Sequence, residues 1–195
     1  MLFSVKNHLL PTLLLWVAFT AGALLARAIL GLEWVMVPGR EAASQVLFWL
    51  LVVASSDALL HLLLWGIGRA GYLARYRALV FHFQPQGVPE ILASGLLAAS
   101  EEWVFRGVLL AWLLQGLGWP APAGIAVAAL AFGLSHVIRE RQLAPFAIWA
   151  VWEGILLGTV YVQSGSLLVV MVVHGLHDTL GYLLFAFQRR TGWLV

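Results

Sequence analysis

Six stretches of this sequence are each long and apolar enough to cross a lipid bilayer. A spanning helix needs about 20 largely apolar residues, and residues 9–31, 43–67, 88–118, 121–138, 143–163 and 166–187 meet that need. The hydrocarbon core holds no water to satisfy backbone N–H and C=O groups, so each stretch must bond internally as a helix. Composition agrees: 62% of residues are hydrophobic and 10% charged, with a mean hydropathy of +0.93, whereas a water-soluble domain carries about 25% charged residues. The expected fold is all-α, a polytopic membrane bundle of about six transmembrane helices around an intramembrane polar cavity. Residues 1–195 form a single membrane domain in this reading.

The breaks between stretches carry turn chemistry: Pro38-Gly39, the run from Gly66 to Gly71, Pro85-Gln86-Gly87, Trp119-Pro120, Pro145 and Ser164-Gly165-Ser166. Residues 88–118 would span about 46 Å as one helix, so this stretch is expected to tilt, to start in the interface, or to break near its charged centre. Trp34, Trp65, Trp119 and Trp193 lie near segment ends, where indole rings favour the lipid–water boundary. The run from Leu9 to Leu25, ahead of Ala26-Arg27-Ala28, loosely resembles a signal peptide. It is long for one, and Arg at the cleavage position is unusual, so a retained first helix is expected.

Charge placement sets an orientation. With six spans, one side receives Lys6, Arg69, Arg75, Arg77, Arg139, Arg141, Arg189 and Arg190, and the other receives Arg40 alone. Positive residues concentrate in the cytoplasm, so both termini are expected there, in a bacterial or archaeal cell membrane. No Cys is present, which excludes thiolate chemistry and limits metal ligands to His and carboxylates.

Arg27, Asp57, His61, Glu101, Glu102, Arg106, His136, Glu153, His174, His177 and Asp178 fall inside the spans. A charged group at the centre of an inserted helix costs about 2.5–3.5 kcal/mol even on mild scales, so such residues should face the bundle interior with partners. Residues four apart share a helix face and adjacent ones diverge by about 100°. Glu102 can therefore pair with Arg106, while Glu101 projects elsewhere and is the better base. His174 shares a face with Asp178, Phe132 with His136, and Asp57 with His61. The last pair is expected to lock helices together, and Glu153 to meet Arg27 or line the cavity. His177 would contribute only if its own face turned inward. The Arg69–Arg77 cluster reads first as a topology signal and secondly as a contact for anionic lipid.

Three segments resemble one family. Glu101-Glu102-Trp103-Val104-Phe105-Arg106 fits an EExxxR motif, Phe132-Gly133-Leu134-Ser135-His136 fits FxxxH, and His174-Gly175-Leu176-His177-Asp178 fits HxxxN/D. In this order they resemble the CPBP family of CAAX proteases and bacteriocin-processing enzymes, also called Abi. The resemblance covers residues 88–187 as a catalytic core and leaves two N-terminal helices, 1–87, outside it.

The resemblance implies an intramembrane endopeptidase. Glu101 and His136 would activate water, Glu102 and Arg106 with Phe132 would hold the site, and His174 and Asp178 would face the tetrahedral intermediate. An ionised Asp cannot donate to an oxyanion, so Asp178 is expected instead to accept from His174 and fix its orientation. No cofactor is expected. Zn is the possible exception, because Glu101, His136, His174 and Asp178 are ligands by type. The partners implied are membrane lipid and a peptide or protein substrate: a prenylated CAAX tail, a leader peptide or a C-terminal transmembrane sorting helix. No nucleic acid is implied. A non-catalytic immunity or scaffold protein of the same fold, and a proton-coupled transporter, stand as alternatives.

Overall fold

The computed structural model describes residues 9–33, 41–82, 87–139 and 147–193. Lys6, Arg40, Arg141, Trp34, the Pro38 and Pro85 turns and Pro145 lie outside the described residues. Each of the six expected stretches forms a helix: α1 (Leu9–Leu30), α2 (Ala42–His82), α3 (Val88–Glu102), α4 (Ala121–Arg139), α5 (Ala147–Ser164) and α6 (Leu167–Thr191). Among the described residues there is no strand. Leu9–Leu30, Ala42–Gly68 and Leu167–Thr191 are long and apolar enough to cross a membrane, and Ala121–Val137 is a shorter apolar helix.

Burial is inverted relative to a protein in water. Ile29 and Ile67 are 74% and 83% exposed, whereas Arg27, Glu102 and Arg106 are at most 2% exposed. Leu, Ile and Phe side chains cover the outer faces of α1 and α2, and lipid is the solvent that makes such a surface stable. The chain is an integral membrane helical bundle.

Two elements differ from the sequence reading. The second stretch was expected to end at residue 67, with Gly66 to Gly71 as punctuation, yet α2 is one helix of 41 residues. Each Gly costs only about 1 kcal/mol in a helix and leaves the i→i−4 bonds intact, and no Pro interrupts residues 42–82. At 1.5 Å per residue α2 is about 60 Å long, beyond the hydrocarbon thickness of about 30 Å. Its end is latched to α6, where Tyr76 donates to Gln188 Oε1 (3.0 Å) and Arg189 donates to the Val80 carbonyl (2.9 Å).

The third stretch widens at its charged centre without breaking. From Glu102 the helix passes into two π-helical segments, Trp103–Leu110 and Trp112–Gly116. The Ala111 N–H reaches back to the Arg106 carbonyl, and that of Leu117 to Trp112 (3.0 Å), each five residues upstream. A π-segment offsets the faces that a regular helix would present and recurs at functional sites.

Missing side chains set the helix crossings. A Cβ on Gly95 of α3 would meet Thr179 Oγ1, and one on Gly175 of α6 would lie 2.9 Å from the Gly95 carbonyl. A Cβ on Gly154 of α5 would lie 2.9 Å from Ala129 Cα of α4. Small residues let membrane helices approach backbone to backbone, and these crossings bring α3, α4, α5 and α6 around one point. Gly175→Val is therefore expected to destabilise the protein by about 1–3 kcal/mol through overpacking. Gly66→Ala, whose Cβ meets nothing within 4 Å, should be neutral or stabilising by about 0.5–1 kcal/mol. Melting temperatures in detergent check both; equal effects would show that the crossing tolerates bulk.

Candidate active site

The deepest part of the site is dry. Glu102, at the end of α3, and Arg106, one turn on in the π-segment, are completely buried and pair at 2.7 Å. The same carboxylate oxygen, Oε1, lies 2.7 Å from His174 Nδ1 of α6. A carboxylate only accepts, so His174 donates through Nδ1. Arg106 also donates to the Gly154 carbonyl of α5 (2.8 Å) and lies over the Phe132 ring of α4, 4.9 Å from its centroid. Four helices thus meet through one carboxylate and one guanidinium. Glu102 was expected to neutralise Arg106, and it also anchors His174.

Phe132 is the apolar hub. Its ring centroid lies 4.7 Å from that of His136 and 5.8 Å from that of His174, both edge-on, and 5.1 Å from Phe105. His136 Nδ1 lies 2.9 Å from the Phe132 carbonyl. That carbonyl can only accept, so Nδ1 carries the proton and Nε2 of the neutral ring keeps a lone pair. His136 is half-buried, as are Asp178, Glu153 and His177, whereas Glu101 on α3 is buried.

On the wetter side, His174 Nε2 lies 3.8 Å from both Asp178 Oδ1 and Glu153 Oε1. Asp178 therefore stands beside His174, one turn further along α6. Glu153 Oε1 approaches His177 Nδ1 to 2.9 Å, and Asp178 Oδ1 lies 3.6 Å from the same nitrogen. His177 Nε2 faces Asp57 of α2 at 3.9 Å, and Asp57 meets His61 at 3.4 Å. His61 in turn contacts the Tyr72 hydroxyl.

The motif residues Glu102, Arg106, Phe132, His136, His174 and Asp178 are thus in one connected constellation. Glu153 and His177, outside the motif positions, belong to it as well. Their signal in the sequence was the cost of an ionisable group within a span, which Glu153 bears in α5 with no cation at helical spacing. The Asp57–His61 pair, expected to lock helices together, links α2 to His177 of α6 and so extends the network. Arg27 sits elsewhere: it donates to the carbonyls of Gly107, Leu32 and Glu33, tying the end of α1 to the π-segment. Glu33 N–H adds a bond to Gln115 (3.2 Å). Among the described residues, the His and carboxylate groups whose ligand atoms all lie within 4.8 Å are Glu153, His177 and Asp178. This trio shares only Asp178 with the ligand set drawn from the motifs.

Residues 84–180, about half the chain, match the family described as type II CAAX prenyl endopeptidase Rce1-like. This chain belongs to the Rce1-like family. The match takes in all three motifs, from Glu101 to Asp178, within the broader CAAX protease grouping that those motifs resemble. No curated protein and no solved structure matches the chain.

The geometry separates the two neighbouring glutamates. Glu102→Gln removes the charge that holds both Arg106 and His174, and breaking a buried pair costs about 3–5 kcal/mol. A large fall in detergent melting temperature is expected, partly restored by adding Arg106→Met. Glu101→Gln keeps size and most hydrogen bonding and should melt within about 0.5–1 kcal/mol of the parent. An early-melting Glu101→Gln beside a stable Glu102→Gln would reverse the two assignments.

Proposed function

We propose that this protein is an intramembrane endopeptidase that hydrolyses a peptide bond of a membrane-associated or lipidated substrate with a directly activated water. The observation that carries this reading is the convergence of the EExxxR, FxxxH and HxxxD side chains on a single buried carboxylate–guanidinium pair, within the segment that matches the Rce1-like family.

In this reading Glu101 takes a proton from water while His136 Nε2, whose lone pair is left free by the Nδ1 contact to Phe132, accepts from the same water and orients it. The hydroxide adds to the scissile carbonyl. His174 has Nδ1 committed to Glu102, so it acts through Nε2. A proton there faces Asp178 and Glu153 in the resting site and turns to the oxyanion in the intermediate. Such fixed donors act strongly in a water-poor cavity. Collapse of the intermediate expels the amine, which receives its proton from Glu101. Asp178 and Glu153 orient His174 and do not donate. Zn²⁺ fits the motif side chains by type: Glu101, His136, His174 and Asp178 would hold it. It would supply Lewis-acid polarisation, and none of the steps above needs it.

The substrate class that the family description favours is a prenylated CAAX tail; leader peptides and C-terminal sorting helices also present a peptide bond at a membrane. Glu101 is eleven residues past Glu90, and Asp178 eleven before Arg189. At about 1.5 Å per residue the site lies within about 16 Å of those charges. The eight-to-one Lys/Arg asymmetry supports the reading that this side, and both termini, face the cytoplasm and that the site is reached from there.

The test pairs a purified turnover assay on prenylated CAAX peptides with a comparison of protein termini in membranes carrying the parent or Glu101→Gln. A general base contributes about 10²–10⁴-fold, so Glu101→Gln should lower turnover by at least about 10²-fold. It should also leave uncleaved termini in the membrane. Unchanged turnover and termini in Glu101→Gln would overturn the role of Glu101, and absence of turnover by the parent on every candidate substrate would favour a non-catalytic scaffold. Proton-driven flux in proteoliposomes would favour a transporter.

A further inference from the structure

Two residues outside the motif positions, Glu153 and His177, join Asp178 in a trio with the makings of a cation site. Glu153 of α5 and His177 and Asp178 of α6 present one oxygen, one Nδ1 and one oxygen, all within 4.8 Å of one another. For ligands about 2.0–2.1 Å from a tetrahedral ion, the ligand–ligand edge is about 3.4 Å. Two of the three edges bracket that value, 2.9 Å from Glu153 to His177 and 3.6 Å from His177 to Asp178, and the third is within 4.8 Å. His174 Nε2, 3.8 Å from each carboxylate, borders the fourth position.

Two further observations point to a ligand. Firstly, Glu153 Oε1 and His177 Nδ1 are both shut off from solvent and face each other as an ion pair at 2.9 Å, so two ligand atoms are already gathered in a buried position. Secondly, the other nitrogen of His177 faces a carboxylate, Asp57 Oδ2, at 3.9 Å. A metal-ligating His characteristically directs its second nitrogen to such a group, which fixes the ring and raises its basicity.

We propose that Glu153, His177 and Asp178 bind one divalent transition-metal ion of the Zn²⁺ class, with Asp57 as the outer carboxylate behind His177. Imidazole with carboxylate oxygens suits such ions, and the absence of Cys rules out a thiolate site. The ion joins α5 to α6 and draws α2, which lies outside the family-matched segment, toward the site. The role is to hold helices together beside the water-activating groups. The ion shares Glu153 and Asp178 with the orientation of His174 in the proposed hydrolysis.

The experiment titrates the purified, chelator-treated full chain in detergent with Co²⁺, read by visible absorption, and with Zn²⁺, read by melting temperature and calorimetry. One ion per chain is expected, with the intense absorption of tetrahedral Co²⁺, displacement by Zn²⁺ and an upward shift in melting temperature. Mg²⁺ should produce none of these. Glu153→Gln and His177→Gln should each weaken binding by more than about 100-fold, and Asp57→Asn by about 10-fold. Glu101→Gln should bind like the parent, so loss of hydrolysis and loss of metal are read separately. Absence of a one-to-one Co²⁺ spectrum in the parent overturns the proposal by itself, whether or not the variants fold. Binding that survives in both Glu153→Gln and His177→Gln overturns it as well.

Discussion

A single carboxylate in a place without water organises this protein. Glu102 is fully buried and its Oε1 receives both Arg106 and His174 at 2.7 Å. Taking those charges out of water costs several kcal/mol per ion, which mutual attraction offsets only when the geometry is good and the remaining donors are satisfied. Arg106 meets that condition in part, through the Gly154 carbonyl and the Phe132 face, while its Nε has no hydrogen-bond partner among the described residues. Because the ligands of this pair come from α3, α4, α5 and α6, no one of these helices can shift without exposing a charge to hydrocarbon. The pair therefore specifies the arrangement of the bundle, whatever its net contribution to stability.

The close helix crossings are a precondition for that pair. His174 reaches Glu102 because Gly95 and Gly175 let α3 and α6 touch, and Arg106 reaches Gly154 because α5 lies against Ala129 of α4. The π-helical widening starts at Trp103, directly after the two glutamates. It hands the carbonyl of Gly107 to Arg27 of α1, so a second buried cation is bonded in part by backbone that the irregular segment presents. Rigid support lies deep, while His136, Asp178, Glu153 and His177 occupy the more accessible side. A hydrolytic site in a membrane needs that division, since its supports must stay dry and its reacting water must enter.

Much of this was legible in advance. Apolar runs located all six helices, because a bilayer allows a spanning chain no alternative to internal hydrogen bonding. The spacing of Glu102 and Arg106 gave their pair, since four residues complete one turn and both lie near the α-to-π boundary. The same four-residue spacing placed Phe132 and His136 on one face. The end of α2 was misjudged, because glycines weaken a helix without removing its bonds and neighbouring contacts decide whether it continues. The bonds from α6 to Tyr76 and Val80 are tertiary and leave no local mark.

The sequence by itself determined the solvent, the helices and the identity of the ionisable residues that must face inward, because hydrophobicity and backbone satisfaction are properties of single segments. Tertiary structure decided which of those residues meet. Glu153 lies 21 positions before His174 on a different helix, and no periodicity within either helix can pair them. His177 stands about 60° from the His174 face on a regular helix, yet Glu153 of α5 lies near both rings, 2.9 Å from His177 and 3.8 Å from His174. Such meetings depend on crossing angles, and those are set by which side chains are absent as much as by which are present.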